Sequence, residues 1–404
     1  MKYNYFKAYK GLPISIYILF FASIINNMGQ FVGPFLTMFL TFNIGMSVGK
    51  VGAIVAGNSA MGMLGALFGG KLIDSVGRKK IFVIFSFLSL SLYAICGFLK
   101  DPLLITLVLL FASLFNGFSQ PVFSTIITDL TEGIQRNAAF SLSYIALNIG
   151  FSVGPLIAGF LYKNHLIWLF LGDALTTLIS VILVMLYVPE TKPEKIKISD
   201  NNIYEKAEKG TMFSILIKRW NLLVFSLIMV IYFIVFSQFN FGLSLQVGAI
   251  FGDTGAKIYG SLMTVNAVLC STITVFITSL TKRLKSSLSI SIGGLLYAVG
   301  FGIIYFINSF PMFILSTALW TAGEILVATN TSIYIAEHTP VTHRGRFNSI
   351  FPIIRKLGFI IGPLFAGIYI KYTLLKNLWI LVSVLAVIGS FLMYKLYSKD
   401  VNKT

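Results

Sequence analysis

The chain has 404 residues, of which 56% are hydrophobic and 11% are charged. Soluble globular proteins carry about 25% charged residues, so this composition excludes a disordered chain and indicates that most of the chain lies in lipid. The net charge of +17 does not indicate nucleic-acid binding, because the basic residues are spread over short segments and do not form one basic face.

Twelve apolar runs, separated by polar residues, are long enough to cross a membrane as helices, which takes about 20 residues. The runs show no alternation of period two, so transmembrane strands are not expected. We therefore predict an all-α integral membrane protein with twelve transmembrane helices. The predicted spans, one to twelve, are residues 14–42, 51–73, 79–99, 102–126, 138–162, 166–188, 220–250, 257–281, 288–307, 311–336, 346–371 and 376–397.

The distribution of lysine and arginine predicts how the spans are oriented. If the N-terminus lies in the cytoplasm, the inner segments hold 23 basic residues and the outer segments hold six, with two more inside span eleven. Because cytoplasmic loops carry an excess of Lys and Arg, both termini are expected on the cytoplasmic side of the cell membrane. The long polar segment 189–219 is then a cytoplasmic linker.

The two halves of the chain repeat each other at a shift of 208 residues. GFSVGPLIAG at 150–159 aligns with GFIIGPLFAG at 358–367, and Gln30 aligns with Gln238. One register that serves several helices indicates a duplicated unit. We therefore expect two pseudo-symmetric six-helix bundles, which is the parallel-repeat arrangement of one large class of transporters. The N-terminal bundle is predicted at residues 1–188 and the C-terminal bundle at residues 220–404.

The segment GGKLIDSVGRKK at 69–80 resembles the signature loop of the major facilitator superfamily. The residues that match the family pattern are Gly70, Leu72, Asp74, Gly77, Arg78, Lys79 and Lys80. Together with the twelve spans, the central linker and the repeat, the resemblance covers the whole chain. It implies a transporter that works by alternating access, with its substrate near the membrane midplane between the bundles.

The resemblance implies that this loop acts as a cytoplasmic latch that holds the outward-open state. The latch candidates here are Gly70, Asp74, Gly77, Arg78, Lys79 and Asp129. Gly70 is expected to let spans two and eleven pack closely, and Asp74 to cap a neighbouring helix N-terminus. Arg78 is expected to pair with an acidic group at the inner end of span four, for which Asp129 is the candidate. The alternative is a loop whose positive charge merely anchors the helices.

A GxxxGPxxxG element occurs in spans five and eleven. Its residues are Gly150, Gly154, Pro155 and Gly159 in the first copy and Gly358, Gly362, Pro363 and Gly367 in the second. Small residues four apart let helices approach closely, and proline kinks a helix. The copy in span five resembles the motif associated with antiporters of the superfamily, which favours export. An ordinary packing seam is the alternative interpretation of both copies.

Glu324 lies deep inside the apolar run of span ten. A carboxylate at membrane depth is costly and often relays protons, so Glu324 is the predicted proton-coupling residue. Arg355 and Lys356 lie within span eleven, where either is expected to pair with Glu324 or to bind an anionic substrate. A fixed ion pair without a coupling role is the structural alternative for Glu324, and for Arg355 the alternative is a side chain that reaches the inner membrane surface.

Asp173 in span six is a further candidate for proton coupling. A packing hydrogen bond to neighbouring threonines or to the backbone is the other role open to it. Proton antiporters of the superfamily often carry an arginine in span four, four residues before a glycine, and Ser113 stands there in this chain. If a proton is coupled, the relay is therefore expected in the second half.

In the fold that the resemblance implies, spans one and seven line the central cavity. Polar and aromatic side chains there are expected to contact the substrate, and interhelical hydrogen bonds are their alternative role. The candidate substrate-binding residues are Gln30, Gln238, Asn26, Asn27, Asn240, Asn116, Trp320 and Tyr232.

These features predict a secondary active transporter that exports a small amphipathic or hydrophobic compound in exchange for protons. A facilitator or symporter for uptake of a specific metabolite is the alternative, and a membrane scaffold or receptor is a distant one. The sequence contains no enzyme signature, metal-ligand cluster or ATP-binding loop, so neither catalysis nor a cofactor nor a metal is expected. The expected partners are a small-molecule substrate, protons and the lipid bilayer, and the chain is expected to be a monomer.

Overall fold

A computed structural model describes residues 9–191, 220–338 and 344–401 of the chain. Within these residues the structure is helical and contains no strand, which confirms the all-α prediction. Most of the predicted linker 189–219 lies outside the described residues. The helices before the linker are α1 Ile14–Met28, α2 Val32–Met38, α3 Val48–Val76, α4 Arg78–Cys96, α5 Pro102–Ser119, α6 Val122–Leu130, α7 Gly133–Asn164 and α8 Ile167–Tyr187. The helices after it are α9 Trp220–Phe236, α10 Gly242–Phe251, α11 Gly255–Thr281, α12 Ser286–Gly302, α13 Phe310–His338, α14 Arg344–Tyr372 and α15 Asn377–Val401.

Eleven helical stretches of the described chain are long and apolar enough to cross a membrane. The longest, Trp220–Thr281, has 62 residues. At 1.5 Å per residue it would measure about 90 Å, roughly three times the hydrocarbon thickness of a bilayer. A 3-10 turn at Gly252–Thr254 divides this stretch between α10 and α11, so it holds two spans. The structure therefore confirms twelve transmembrane helices.

The chain divides into two compact units. The first contains Met1–Glu194 and Val247–Ser271, and the second contains Lys195–Gln246 and Thr272–Thr404. In the first unit α3 and α4 pack on α5, while α1 packs on α7 and α8. In the second unit α12 packs on α13 and α15, while α9 packs on α14 and α15. The end of α10 and most of α11 thus pack within the first unit.

Span one is interrupted between α1 and α2. Gly29, Gln30 and Phe31 lie outside both helices. Pro34 explains the interruption, because a proline inside a continuous helix lacks its N–H and clashes with the carbonyl four residues earlier, here that of Gln30. With the helix restarted at Val32, Pro34 falls in a first turn, where N–H groups have no helical partner. Gln30 consequently lies on a non-helical segment.

Span seven is interrupted at the corresponding place. α9 ends at Phe236, a 3-10 turn covers Ser237–Phe239, and α10 begins at Gly242. Gly242 aligns with Pro34 in the repeat, so span seven changes from an α-helix to a 3-10 turn without a proline. The repeat-matched residues Gln30 and Gln238 both lie where a membrane helix is broken, and such breaks in corresponding positions of two halves mark binding sites in transporters.

Candidate functional site

Amide side chains at the break in span one form a hydrogen-bonded group. Asn27 Nδ2 donates to the Ser23 carbonyl at 2.7 Å, and Gln30 Nε2 donates to Asn27 Oδ1 at 3.2 Å. The Thr177 hydroxyl donates to Asn26 Oδ1 at 3.1 Å. Asn27 is buried, whereas Asn26 and Gln30 are half-buried. Asn27 therefore orients Gln30, and part of the amide group remains exposed.

Gln238 in the second unit is more enclosed than its repeat mate. Its side chain is 2% exposed, and its Nε2 donates to the Ile234 carbonyl at 3.1 Å. Gln238 Oε1 is buried without a hydrogen-bond partner among the described residues. An unpaired buried acceptor costs about 1–3 kcal/mol, so a ligand group that donates to this oxygen would bind favourably. Asn240, two residues further on, is half-buried.

Trp320 and Tyr232 belong to the aromatic core of the second unit. The fully buried Trp320 ring stacks on Phe301, with ring centres 5.6 Å apart, and on Phe239, with centres 6.0 Å apart. Its Nε1 has no hydrogen-bond partner in the part of the chain that is described. Tyr232 is also buried, and its hydroxyl donates to the Ile290 carbonyl at 3.1 Å. In this conformation neither side chain presents a surface to a substrate.

Glu324 lies on α13, one turn after Trp320, and is half-buried. Its helix is in close contact with α12, because a Cβ atom at Gly323 would stand 2.7 Å from the Gly293 carbonyl oxygen. Tight packing between the two helices therefore fixes the backbone next to Glu324. Asn116, the repeat mate of Glu324, is exposed on α5.

The two basic residues of span eleven have different surroundings. Arg355 is exposed, and its guanidinium carbon lies 5.8 Å from the centre of the Phe359 ring, which is a cation–π distance. Lys356 is half-buried. Adjacent residues on a helix point about 100° apart, which accounts for the difference. The predicted pairing of one of them with Glu324 stays a prediction.

Asp173 is buried on α8, with 8% of its surface exposed. The Val32 backbone N–H donates to Asp173 Oδ2 at 3.3 Å. Val32 is the first residue of α2, so the carboxylate provides an acceptor for an N–H that the break in span one leaves without a helical partner. The packing hydrogen bond that the sequence allowed is therefore present, and proton binding stays a prediction.

Arg78 is the centre of the latch cluster and is 4% exposed. Its Nε lies 2.9 Å from Asp129 Oδ2, the contact that the sequence predicts, and its NH2 lies 3.2 Å from Asp74 Oδ1. Its NH1 donates to the Ile73 carbonyl at 2.9 Å. A buried guanidinium that loses a partner is strongly destabilising, so these acceptors account for the burial of Arg78.

Glu190, three residues after α8, caps the N-terminus of α4. Its Oε1 accepts the Arg78 N–H at 2.6 Å and the Lys79 N–H at 3.2 Å, and its Oε2 accepts the Lys80 N–H at 3.2 Å. A carboxylate at a helix N-terminus also interacts favourably with the helix dipole. The sequence predicts capping by Asp74, but the side chain of Asp74 pairs with Arg78, and Glu190 is the capping residue.

The two glycines of the latch loop have different roles. Gly77 adopts a φ of 128°, a left-handed conformation that favours glycine, and α4 starts at the next residue. A Cβ atom at Gly70 would meet nothing within 4 Å in the described chain. The close packing of spans two and eleven predicted at Gly70 stays a prediction.

The first copy of the GxxxGPxxxG element packs on the end of α1. A Cβ atom at Gly154 would lie 2.7 Å from the Met28 carbonyl oxygen, and one at Gly150 would overlap the Asn27 side chain. Two turns of α7 thus contact the backbone immediately before the break in span one. This contact is a packing seam at the point where the helix is interrupted.

The second copy repeats this contact in the second unit. A Cβ atom at Gly358 would overlap the Phe233 side chain, and one at Gly362 would overlap the Ser237 hydroxyl. Pro363 and Gly367 are buried further along α14. The element therefore supports the broken helix in both halves.

The end of the first copy contacts α11 as well. A Cβ atom at Gly159 would lie 2.7 Å from the Ala256 carbonyl oxygen. Gly260 on α11 faces the Pro155 carbonyl so closely that a side chain there would overlap it. The packing seam of span five therefore extends from α1 to α11.

The family model described as Major Facilitator Superfamily matches the sequence over residues 18–286 and 236–404. The chain belongs to the major facilitator superfamily. This confirms the family that the sequence resembles in its signature loop and its repeat. The protein is a membrane transporter of that family.

Curated members of the superfamily align with most of the chain. The "Uncharacterized MFS-type transporter YqjV" of Bacillus subtilis (strain 168) is 23% identical over 344 residues, which cover 83% of this chain and 81% of that protein. The "Na(+), Li(+), K(+)/H(+) antiporter" of Planococcus maritimus is 22% identical over 364 residues, which cover 84% and 85%. The crystal structure of the nucleoside transporter NupG matches with a TM-score of 0.75 at 14% identity and covers 95% of this chain and 99% of that chain. At this identity the match shows the shared fold.

Sequence reasoning missed two residues that contact the Arg78 cluster, Glu190 and Thr191. The Thr191 hydroxyl donates to Asp129 Oδ2 at 2.9 Å, next to the Arg78 contact. A signal was available in the sequence. PET at 189–191 places an acid directly after span six, on the side of the membrane where the predicted orientation also places the basic loop 69–80. The register between that acid and α4 required the tertiary structure.

Proposed function

We propose that this transporter exports small amphipathic or hydrophobic compounds across the cell membrane in exchange for protons, with Glu324 as the proton carrier. The observation that carries the proposal is the place of Glu324, which is half-buried in the middle of a membrane-spanning helix. An ionisable residue inside a membrane span is expensive and marks a functional site by default. Tight packing of α13 on α12 at Gly323 holds the helix backbone that carries Glu324 in place.

Two buried polar atoms of the second unit support an amphipathic substrate. Gln238 Oε1 is an acceptor and Trp320 Nε1 is a donor, and neither has a partner among the described residues. A largely apolar compound with one donor and one acceptor would satisfy both groups when the transporter opens. In the first unit, Gln30 and Asn26 are the proposed polar contacts.

Proton coupling also draws support from the relative in Planococcus maritimus, whose name describes the exchange of cations for protons. Excess Lys and Arg on the inner segments supports cytoplasmic termini. With that orientation the Arg78 cluster lies at the cytoplasmic ends of the helices and serves as a latch for one conformation.

Uptake of an anionic metabolite is the second candidate. The exposed guanidinium of Arg355 rests on the Phe359 ring, and an arginine in this position is free to turn toward a carboxylate or phosphate of a substrate. Lys356 would add a second positive charge. This candidate predicts that Arg355, and not Glu324, determines whether a substrate binds.

The test is accumulation of ethidium in inverted membrane vesicles whose lumen is acidified. We compare the wild type with Glu324→Gln, which keeps the shape but cannot exchange a proton at neutral pH. Wild-type vesicles are expected to accumulate the dye as protons leave the lumen, and Glu324→Gln vesicles are expected not to. Exchange of labelled for unlabelled ethidium across the membrane, in which no proton has to cross, should persist in the variant.

Glu337→Gln is the matched control. Glu337 lies on the same helix, is exposed, and accepts a hydrogen bond from the Ser286 hydroxyl at 2.7 Å, which a glutamine oxygen also accepts. Loss of accumulation in both variants would mean that charge loss on α13 impairs folding. Equal accumulation in the wild type and Glu324→Gln would reject Glu324 as the proton carrier. The second candidate, uptake of an anionic metabolite, is tested by the same measurement with an anionic dye on Arg355→Gln.

A further inference from the structure

Span six runs along the break in span one and fits it closely. A Cβ atom at Gly29 would overlap the Thr176 side chain, and one at Gly172 would lie 2.7 Å from the Phe31 ring. Thr176 and Gly172, which lie about one turn apart on α8, therefore face Gly29 and Phe31, two of the three non-helical residues of span one. The break is a built feature of the first unit, enclosed on one side by α8.

Asp173 is the only charged residue of α8, Ile167–Tyr187, and its carboxylate faces the break in span one. Asp173 is 8% exposed and Val32 is 4% exposed. The Val32 backbone N–H donates to Asp173 Oδ2 at 3.3 Å. A buried carboxylate is costly unless it accepts hydrogen bonds, and a backbone N–H at membrane depth is costly unless it has an acceptor. Each group thus offsets the cost of the other.

The second half supports its break by different means. There α15 brings Trp379, whose Nε1 donates to Gln246 Oε1 at 3.2 Å. The ring of Trp379 lies 3.2 Å from where a Cβ atom of Gly242 would stand. In the register of the repeat Leu381 aligns with Asp173. Asp173 thus accepts the first helical N–H after the complete interruption in span one, whereas Trp379 packs beside Gly242 after the 3-10 turn in span seven.

We propose that Asp173 is a positioning residue that fixes the start of α2 and, through it, the place of Gln30 at the break. In this role the carboxylate stays in its hydrogen bond through the transport cycle, and the coupled proton is carried elsewhere. Gln30 is two residues from Val32, so a shift of α2 moves the amide directly. The inference rests on the proposed contact between Gln30 and substrate, and it assigns Asp173 a partner and a consequence that the sequence left open.

Two substitutions separate positioning from proton binding. Asp173→Asn keeps an oxygen that accepts the Val32 N–H and cannot titrate, and Asp173→Leu keeps the volume and removes the acceptor. The first readout is hydrogen–deuterium exchange of peptides covering residues 28–38 in the purified full chain. The second is the KM, the maximal rate and the pH profile of ethidium transport after reconstitution.

Asp173→Asn is expected to match the wild type in amide exchange and in the pH profile of transport. Asp173→Leu is expected to speed exchange over residues 28–38 and raise KM, each by about tenfold, which is the scale of one lost hydrogen bond to a charged group. Its maximal rate should change much less than its KM. Rescue by asparagine together with a change confined to KM is a pattern that general destabilisation does not produce.

Pro34→Ala provides a second route if Asp173→Leu folds poorly. Alanine lets α1 continue through the break, where the Val32 N–H would meet the Met28 carbonyl in a regular helix. In the Pro34→Ala background, Asp173→Leu is therefore expected to leave exchange over residues 28–38 nearly unchanged. An equally large increase in both backgrounds would show that the hydrogen bond to Val32 is not what Asp173 provides.

Other outcomes overturn the inference directly. Loss of gradient-driven accumulation or a shifted pH profile in Asp173→Asn would make Asp173 a proton site. Wild-type exchange and KM in Asp173→Leu would remove any positioning role. The exchange readout needs no substrate, so a wild type that fails to move ethidium would count against the proposed export and leave the exchange result on Asp173 interpretable.

Discussion

Glu190 Oε1 accepts the backbone N–H of Arg78 at 2.6 Å, across a sequence separation of 112 residues. This bond joins the end of α8 to the start of α4. The Arg78 side chain in turn contacts Asp129 at the end of α6, so one residue connects the ends of spans three, four and six. Glu190 is the second residue of the predicted linker, so the start of the linker is held against the latch loop of the first unit.

Replacing Glu190 with alanine is expected to destabilise the first unit by about 1 kcal/mol, the typical cost of losing a helix cap. The reason is that three N–H groups of α4 lose their acceptor. Thermal unfolding of the purified protein in detergent measures the change. Glu132→Ala is the control, because Glu132 stands at the N-cap position of α7 without a side-chain cap bond. Equal changes in the two variants would contradict the capping role.

Gly154→Ala is expected to destabilise the protein by about 1–3 kcal/mol, the range found for overpacking. The new Cβ atom would stand 2.7 Å from the Met28 carbonyl oxygen, and a backbone oxygen cannot turn aside as a side chain can. Gly70→Ala is the matched control, since a Cβ there meets open space. Urea or thermal unfolding of both variants distinguishes a backbone contact from the general effect of replacing a helical glycine.

The fold was largely predictable because a membrane leaves few options for an apolar run of about 20 residues. Twelve spans followed from run lengths, and the break in span one was available in principle from Pro34. The contact between Arg78 and Asp129 followed from charge and position, since both lie at helix ends on one side of the membrane. In each case a local pattern was enough.

The side-chain environments could not be predicted in this way. Trp320 and Tyr232 have the residue types of a binding pocket, yet both are core positions here, because helix rotation decides which face points inward. Glu190 caps a helix more than a hundred residues away, and Asp173 finds a backbone partner in another span. These contacts depend on how helices are placed against each other, which a single sequence specifies only through the whole fold.

Lys163 and Asp253 form an exposed ion pair within the first unit, with Nζ 2.7 Å from Oδ2. Asp253 lies in the turn between α10 and α11, and the hydrogen bond and charge of Lys163 lower the pKa of its carboxyl. A lowered carboxyl pKa stabilises the folded state above the ordinary pKa, and this stability is lost as the pH falls through the lowered value. Exposure makes the effect small and sensitive to salt.

The melting temperature of Asp253→Asn should therefore lie slightly below that of the wild type at neutral pH and low salt. The difference in melting temperature is expected to disappear in about 1 M salt, where the Debye length is about 3 Å. It is also expected to disappear in acid. Melting curves of both proteins across pH and salt provide the measurement. A gap that persists at high salt would show that Asp253 acts through a contact other than the ion pair.

Trp320→Phe and Trp379→Phe form a pair that isolates one indole hydrogen bond. Both tryptophans are fully buried and both stack on Phe301, so the loss of ring volume is similar. Trp379 Nε1 donates to Gln246 Oε1, and its removal leaves a buried acceptor without that donor, at a cost of about 1–3 kcal/mol. Trp320 Nε1 has no such partner among the described residues, so Trp320→Phe is expected to be the more stable variant.

Transport kinetics then decide what the Trp320 N–H is for. If a substrate accepts this hydrogen bond, Trp320→Phe will raise the KM for ethidium analogues that carry an acceptor and leave the KM for analogues without one unchanged. A uniform change for all analogues would indicate altered packing of α13 on α12 near Glu324. No change for any analogue would mean that the indole nitrogen never meets the substrate, and the polar contacts would then have to come from the amides at the breaks.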